Sequence, residues 1–455
     1  MPRQKKSKLH PVLPVLLAAI CLLSGALLHP AQAQCSRPGF KLNYGYFSTV
    51  AHKAITADFN ADGKTDIATS AYSDQKAAVY FGDGTGGFSA PTVYSTTLGP
   101  ITKVLAGDVN NDAKLDLILV VDHFSANDFV SVLINNGSGA FGAPVDSSFP
   151  FNPFTMQMLD LNGDGKGDLV YLLSSSPTSL AVRFGDGSGN FSQATTYAVL
   201  AANSFVTGDF TGDGKPDVAV YTNNLATAKL VLYLNDGSGG LTPGTETTLG
   251  LDAIISLARD LNGDGKSDIA GVKTGSGNYA VMVLLNNGSG GFNRTDYPIS
   301  LPLTALRAGE FNGDGKVDLI AGRFDMLTSL TLYGNGAGGF AEGEKFAVAL
   351  GWPDQDGVAD FNGDGKSDLG VAQSAGVRAF LRTCNDVSNT KRVDYDGDGL
   401  TDFAVWRPST GEWIIRQSSN AILRTQAWGL ASLGDVPVPG DYDGDNKSDL
   451  AVFRA

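Results

Sequence analysis

The chain has 455 residues, with 47 Asp and Glu against 33 Lys and Arg, a net charge of −14 and three cysteines. That acid excess argues against a nucleic-acid binder, whose phosphates it would repel, and three cysteines are too few for a disulfide-built scaffold. Hydrophobic residues make up 42% of the chain, enough to bury a core.

The chain opens with Arg3, Lys5, Lys6 and Lys8, continues through a mostly apolar run, Val12–Leu28, and reaches the small-residue site Ala31-Gln32-Ala33. This order predicts a secretory signal peptide over residues 1–33 and a secreted product, extracellular, at the cell surface or in a periplasm. Loss of the leader would leave 29 basic residues against 47 acidic ones, a net charge of −18. No later stretch is apolar enough to span a bilayer, so no membrane span is expected after cleavage.

A nine-residue acidic loop then recurs, with oxygen-bearing side chains at positions 1, 3, 5 and 9. The copies are Asp58, Asn60, Asp62, Asp66; Asp108, Asn110, Asp112, Asp116; Asp160, Asn162, Asp164, Asp168; and Asp209, Thr211, Asp213, Asp217. They continue as Asp260, Asn262, Asp264, Asp268; Glu310, Asn312, Asp314, Asp318; and Asp360, Asn362, Asp364, Asp368. The intervals between these seven are 50, 52, 49, 51, 50 and 50 residues. Two more stand apart, at Asp394, Asp396, Asp398, Asp402 and at Asp441, Asp443, Asp445, Asp449. Oxygen donors on a short arc closed by a glycine turn are what Ca²⁺ requires, so several structural Ca²⁺ sites are expected. These are not EF-hands, because position 12 is Thr69 or Val371 rather than a bidentate Glu.

Position 6 is Gly in seven of the nine loops, but Ala113 in the second and Asn446 in the ninth. A left-handed backbone there would cost Ala about 1 kcal/mol, making the second site the weakest. Lysine is frequent at position 7, where it would offer its carbonyl and send its ammonium to solvent.

Each period holds four short apolar runs. In the second these are Ile101–Ala106, Leu115–Val121, Phe129–Ile134 and Phe141–Val145, with the turn Asn135-Asn136-Gly137-Ser138-Gly139 before the last. Such runs, rich in Val, Ile, Leu and Phe and bounded by Gly, Asn and Asp, are strands. Four strands in each of seven units predict an all-β fold: a seven-bladed β-propeller of four-stranded blades with Ca²⁺-binding loops. The stretch Gly82-Asp83-Gly84-Thr85-Gly86-Gly87 has the look of a phosphate loop, but it opens no helix and recurs in most units. It reads as a hairpin turn.

The seventh unit lacks a fourth strand, while Gly39–Tyr44 is a strand without a blade and matches the openings Gly87-Phe88, Gly291-Phe292 and Gly339-Phe340. The N-terminal strand is therefore expected to complete blade seven within a propeller spanning 34–384. Cys35 and Cys384 would lie in the turns flanking that junction, and export permits a disulfide between them. Residues 385–391 read as a linker. Residues 392–455 read as a short partial second repeat array, whose style differs in its Asp-Tyr-Asp loops and Trp406-to-Trp413 hairpin.

These loops, as in Asp-Phe-Asn-Gly-Asp-Gly-Lys-Ser-Asp at 360–368, together with turns such as Phe81-Gly82-Asp83-Gly84, resemble the FG-GAP/VCBS repeat family. That family is related to the integrin α-subunit propeller, whose blades carry nine-residue Ca²⁺ loops. The resemblance covers about 36–384, with a variant form at 392–455. It implies extracellular adhesion, or binding of carbohydrate or protein, and occasionally a scaffold for an enzyme.

Tyr72, His123, Phe124, Phe149, Phe151, Phe154, Phe324 and Trp352 are placed by this reading on the face opposite the acidic loops. Aromatics on varied loops of a rigid scaffold suit ligand recognition. No Gly-x-Ser-x-Gly motif and no Cys/His cluster offers a catalytic centre, so the leading expectation is a binding module and not an enzyme. The alternatives are a lyase-like, polysaccharide-active enzyme on a propeller scaffold and a purely structural surface protein.

Overall fold

The computed structural model describes residues 38–42 and 53–384, with breaks at 72–74, 124–126, 150–154, 174–177, 225, 276, 324–327, 347–355 and 374–375. Beyond these it describes residue 395 and most of 402–454. The expected leader (1–33) and linker (385–391) lie outside the described residues.

The described residues contain strands and turns and no helix; none could therefore cross a membrane as a helix. They form seven four-stranded antiparallel sheets, in six of which strands adjacent in sequence are adjacent in space. The second sheet is representative: Ile101–Gly107, Asp116–Val121, Asp128–Leu133 and Val145–Phe149. Each acidic loop is the connection between the first and second strands.

Burial explains the composition of the strands. Asp116–Val121 is buried at every residue, because both faces of a middle strand meet neighbouring sheets. Such strands need continuous Val, Ile and Leu instead of alternation. The outermost strand of the fourth sheet, Leu241–Leu249, is buried only at its ends and tolerates Thr, Glu and Pro.

Seven core clusters fill the gaps between sheets that follow one another in the chain. Phe59, Ala68 and Val79 of the first sheet pack on Leu117, Leu119 and Leu133 of the second. Further clusters join the second to the third sheet, the third to the fourth, the fourth to the fifth and the fifth to the sixth. Phe311 and Ile320 then meet Leu369 and Val371 of the last sheet. Finally Phe361, Val377 and Ala379 of that last sheet pack on Ala54, Ile67 and Tyr80 of the first. A chain of sheet contacts that returns to its start is a ring, and the fold is a β-propeller.

The last sheet draws on both ends of this ring. Asp356–Ala359, Asp368–Gln373 and Gly376–Cys384 supply three strands, and Pro38–Leu42 supplies the fourth. Pro38 stands opposite Cys384 and Leu42 opposite Phe380 in an antiparallel register. Cys35 lies outside the described residues.

Past the ring, Phe403–Arg407, Glu412–Arg416 and Leu423–Ala427 form a three-stranded sheet. Asp435–Pro437 pairs with Val452–Arg454, and Arg454 clasps the Asp435 carboxylate through Nε at 2.6 Å and Nη2 at 2.8 Å. That double hydrogen bond holds the Asp435 carboxyl down at about 2.

Candidate functional site

Each acidic loop folds around its own carboxylates. In the first, Asp58 accepts the Asp62 and Gly63 N–H groups at 3.2 and 2.8 Å. Asn60 Oδ1 accepts Asp62 N–H at 3.0 Å, and Asp62 Oδ1 accepts Lys64 N–H at 2.9 Å. The third, fifth and seventh loops repeat this pattern around Asp160, Asp260 and Asp360. Glu310 substitutes in the sixth, where its longer side chain reaches the Asn312 and Gly313 N–H groups. With Thr211 at position 3 of the fourth loop, Asp213 N–H keeps the bond to the position-1 acid, Asp209, at 3.2 Å.

Positions 4 and 6 are both left-handed in all seven loops of the ring. In the second loop these are Asn111 (φ +61°) and Ala113 (φ +62°), and in the first Ala61 (φ +57°) precedes Gly63 (φ +79°). The reading from sequence recognised position 6 and overlooked position 4, although glycine at 163, 212, 263, 313 and 363 carried that signal.

Position 9 has a different role from positions 1, 3 and 5. Asp66 is fully buried, and each of its oxygens accepts one backbone N–H: Phe59 at 2.9 Å and Gly82 at 2.8 Å. Asp116 does the same for Val109 and Asn135, Asp217 for Phe210 and Asn235, and Asp318 for Phe311 and Gly334. The carboxylate thus ties the acidic loop to the glycine-rich turn before the fourth strand. Burial is the main influence on these groups, raising the carboxyls of Asp66 and Asp318 to about 6 and that of Asp368 to about 7. Backbone N–H bonds oppose that rise, and the acids at positions 1 and 5 reinforce it. In the C-terminal part Asp402 and Asp449 accept the Tyr395 and Tyr442 N–H groups in the same manner, at 2.7 and 2.9 Å. Asp394, Asp396, Asp398, Asp441, Asp443 and Asp445 lie outside the described residues.

The lysine at position 7 does not run free to solvent, as the sequence reading had it. In all seven loops its ammonium lies beside the position-5 carboxylate, from 2.9 Å for Lys266–Asp264 to 3.9 Å for Lys166–Asp164. A residue two places on is simply within reach of that side chain. Such exposed pairs contribute little to stability, about 0–1 kcal/mol each. Among the described residues no three Asp, Glu, His or Cys side chains gather closely enough to hold a metal ion. Position 3 is an amide in most loops, and position 9 is turned into the fold. The donor set is still carboxylate and amide oxygen throughout, without sulfur or imidazole. That is the chemistry of a hard cation, and in the third loop Asp160 Oδ2, Asn162 Oδ1 and Asp164 Oδ1 each accept one N–H and keep a lone pair, whereas Asp160 Oδ1 accepts two.

The loops are stitched to one another by residues that sequence reasoning missed. Asn135 Nδ2 donates to the Phe59 carbonyl in the preceding loop at 2.8 Å and to Leu115 in its own at 2.9 Å. Asn235 bridges Leu161 and Pro216 likewise, and Asn286 bridges Phe210 and Ser267. In the seventh sheet Arg382 takes this place. In three other sheets it is glycine, and at Gly82 an added Cβ would stand 2.1 Å from the Thr65 carbonyl. The Asn-or-Gly alternation at the head of each turn was the visible signal.

The aromatic face fares unevenly. Phe149 is a correction: it is buried at the end of an outer strand, with its ring 5.4 Å from Tyr171 and the Arg183 guanidinium 4.0 Å above it. It faces the third sheet rather than solvent. His123 is exposed, its ring edge-on to Phe129 at 5.5 Å. Tyr72, Phe124, Phe151, Phe154, Phe324 and Trp352 lie outside the described residues.

In structure the chain is similar to BBS1N, solved in complex with ARL6DN, at 12% identity and a TM-score of 0.49, over 78% of this chain and 99% of that one. In sequence it is 26% identical over 259 residues to a T-cell immunomodulatory protein homolog of Plasmodium yoelii yoelii. The alignment takes in 51% of this chain but only 35% of that relative's length. The family model described as the FG-GAP-like repeat matches residues 58–119, 108–171, 160–220 and 260–321. Each matched stretch runs from one acidic loop through the next, taking in the last three strands of one sheet and the first strand of the sheet that follows. The chain belongs to the FG-GAP-like repeat family.

Proposed function

We propose that this chain is an exported, calcium-stabilised propeller that recognises extracellular carbohydrate or protein ligands and does not transform them. The observation that carries this reading is the set of seven oxygen-donor loops along one side of a closed ring, four of them tied to the preceding loop by an Asn or Arg side chain. Side chains at positions 1, 3 and 5, with the position-9 carboxylate beneath, would hold the cation, which would supply positive charge to an acid-crowded rim. A cation bound only by folded loops stabilises the fold by linkage and fixes the surface that loops present. Export is supported by the leader-like residues 1–33. The Plasmodium relative, an immunomodulatory protein homolog, is in keeping with recognition of another molecule, although the two share only part of that protein's length.

The test is a labelled full chain on carbohydrate and extracellular-protein arrays, in calcium and in excess chelator. Discrete hits lost on chelation are expected. Release of shortened product from a polysaccharide would replace this reading with an enzymatic one, and silence on every array would leave a spacer.

A further inference from the structure

The C-terminal part contains a cavity of about 440 Å³ between the Leu423–Ala427 strand and the loop around Asp449. That volume falls in the range of small-molecule sites. Tyr395, Arg424, Gln426, Trp428, Ser448 and Asp449 are among the residues lining it.

Tyr395 marks the cavity as built. It occupies position 2 of its acidic loop, where the seven loops of the ring carry carbon-only side chains: Phe59, Val109, Leu161, Phe210, Leu261, Phe311 and Phe361. All seven are at most 2% exposed and serve packing between sheets. Tyr395 is 7% exposed, and its hydroxyl has no hydrogen-bond partner among the described residues. A buried tyrosine hydroxyl ordinarily finds one. Tyr442, the counterpart in the ninth loop, does so by donating to the Val438 carbonyl at 2.7 Å. A tyrosine hydroxyl both donates and accepts, so this one has a donor to offer a bound molecule.

The rest of the lining narrows the ligand class. Arg424 and Gln426 share one face of an exposed strand, two residues apart, and Trp428 follows them. Trp428 is 55% exposed, and its carbonyl is gripped by the indole N–H groups of Trp406 and Trp413 at 3.1 and 3.0 Å. An aliphatic ligand would leave Tyr395 Oη unmet, and a lining that sets Arg424 and Lys447 beside Asp449 is mixed in charge and polar, which suits a ligand rich in hydroxyls. A sugar ring offers a C–H face for an aromatic and hydroxyls that both donate and accept.

We propose that this cavity is a saccharide-binding site, with Tyr395 Oη donating to a ring or hydroxyl oxygen and Trp428 supplying the apolar wall. The ligand class rests on the recognition reading above; the location does not. The experiment is calorimetric titration of the full chain with galactose, mannose, N-acetylglucosamine, glucuronic acid and their disaccharides. At least one should bind, and Tyr395→Phe should weaken it tenfold or more at an unchanged melting temperature. Trp428→Ala, on an exposed side chain, should do the same. A sugar that binds with full affinity to both variants overturns this site and leaves the recognition reading standing. If no sugar on the panel binds at millimolar concentration, the site is overturned, while protein hits on the arrays would still sustain the broader reading.

Discussion

Arg382 Nε donates to the Phe311 carbonyl at 2.6 Å, from the third strand of the seventh sheet to the acidic loop of the sixth. Its Nη2 meets Tyr333 Oη at 2.5 Å, and its Nη1 lies 2.5 Å from the Glu344 carboxylate. The guanidinium is fully buried, and burial together with Glu344 pushes the Tyr333 hydroxyl well above its ordinary range. Where other sheets use a neutral asparagine, this one stakes a buried charge on one partner set. Arg382→Ala should therefore cost about 2–3 kcal/mol, because it leaves the Phe311 carbonyl without its donor and the part-exposed Glu344 with the Tyr333 hydroxyl alone. Arg382→Lys should not rescue it, since an ammonium cannot serve three directions with a planar fork. A melting temperature within 2 °C of wild type, by calorimetry at about one scan rate, would refute this.

Asn286→Ala removes both donors of one bridge and leaves the Phe210 and Ser267 carbonyls without that partner. The expected loss is about 1–3 kcal/mol in urea unfolding. Asn286→Asp should be no milder, as it replaces donors with acceptors. Wild-type stability in both variants would mean that water serves these carbonyls equally well.

Ala113 holds φ +62° at a position that favours glycine. Ala113→Gly should stabilise the chain by at most about 0.5 kcal/mol, the relief of left-handed strain less the added freedom of the unfolded glycine. Gly165→Ala in the next loop should have the opposite sign. Equal effects of the same sign would show that the loop conformation is not what limits stability.

Chelation should lower the melting temperature of the full chain. A site held at a hundredfold above its dissociation constant contributes about 2.7 kcal/mol by mass action, so several such sites would move the transition by many degrees. Native mass spectrometry should count the ions directly. No bound divalent ion, and no response to excess chelator, would remove calcium from the account.

The position-9 carboxyls give a distinctive pH dependence. Asp66, Asp318 and Asp368 titrate at about 6 to 7 when folded, above the unfolded value of about 3.9. The calcium-free folded chain thus binds protons that the unfolded chain does not, between about pH 4 and 7. Their contribution is fully present below the unfolded value and is lost as pH rises through 6 to 7. In chelator, denaturation at pH 5 should need more urea than at pH 7.5. In calcium the order should invert, because the cation requires the carboxylate. A chelated chain more stable at pH 7.5 would contradict the burial argument.

Much of the ring was legible because its signals repeat. Strand runs such as Asp116–Val121, fifty-residue spacing and the unpaired Gly39–Tyr44 stretch all point to one architecture, and each is a local pattern. What could not be read were relationships between units. Asn135 and Arg382 look like turn and strand residues in the sequence, and only the juxtaposition of loops from neighbouring sheets gives them carbonyls to hold. Phe149 misled for the same reason: an aromatic at the end of an outer strand faces either solvent or the next sheet, and periodicity within one unit does not say which. Lys64 and its counterparts were misjudged by omission, since the acid two residues earlier was assigned wholly to a cation.

The pairing of Pro38–Leu42 with Gly376–Cys384 has a kinetic consequence. During vectorial synthesis the first ring strand is made hundreds of residues before its only sheet, and it must wait, unpaired, while six others assemble. Sealing is thus the most non-local event in the pathway and the one that loop-closure entropy slows most. Until it happens, two raw sheet flanks stand open to any passing copy of the chain, so the interval before sealing is when exchange of strands between molecules competes with correct folding.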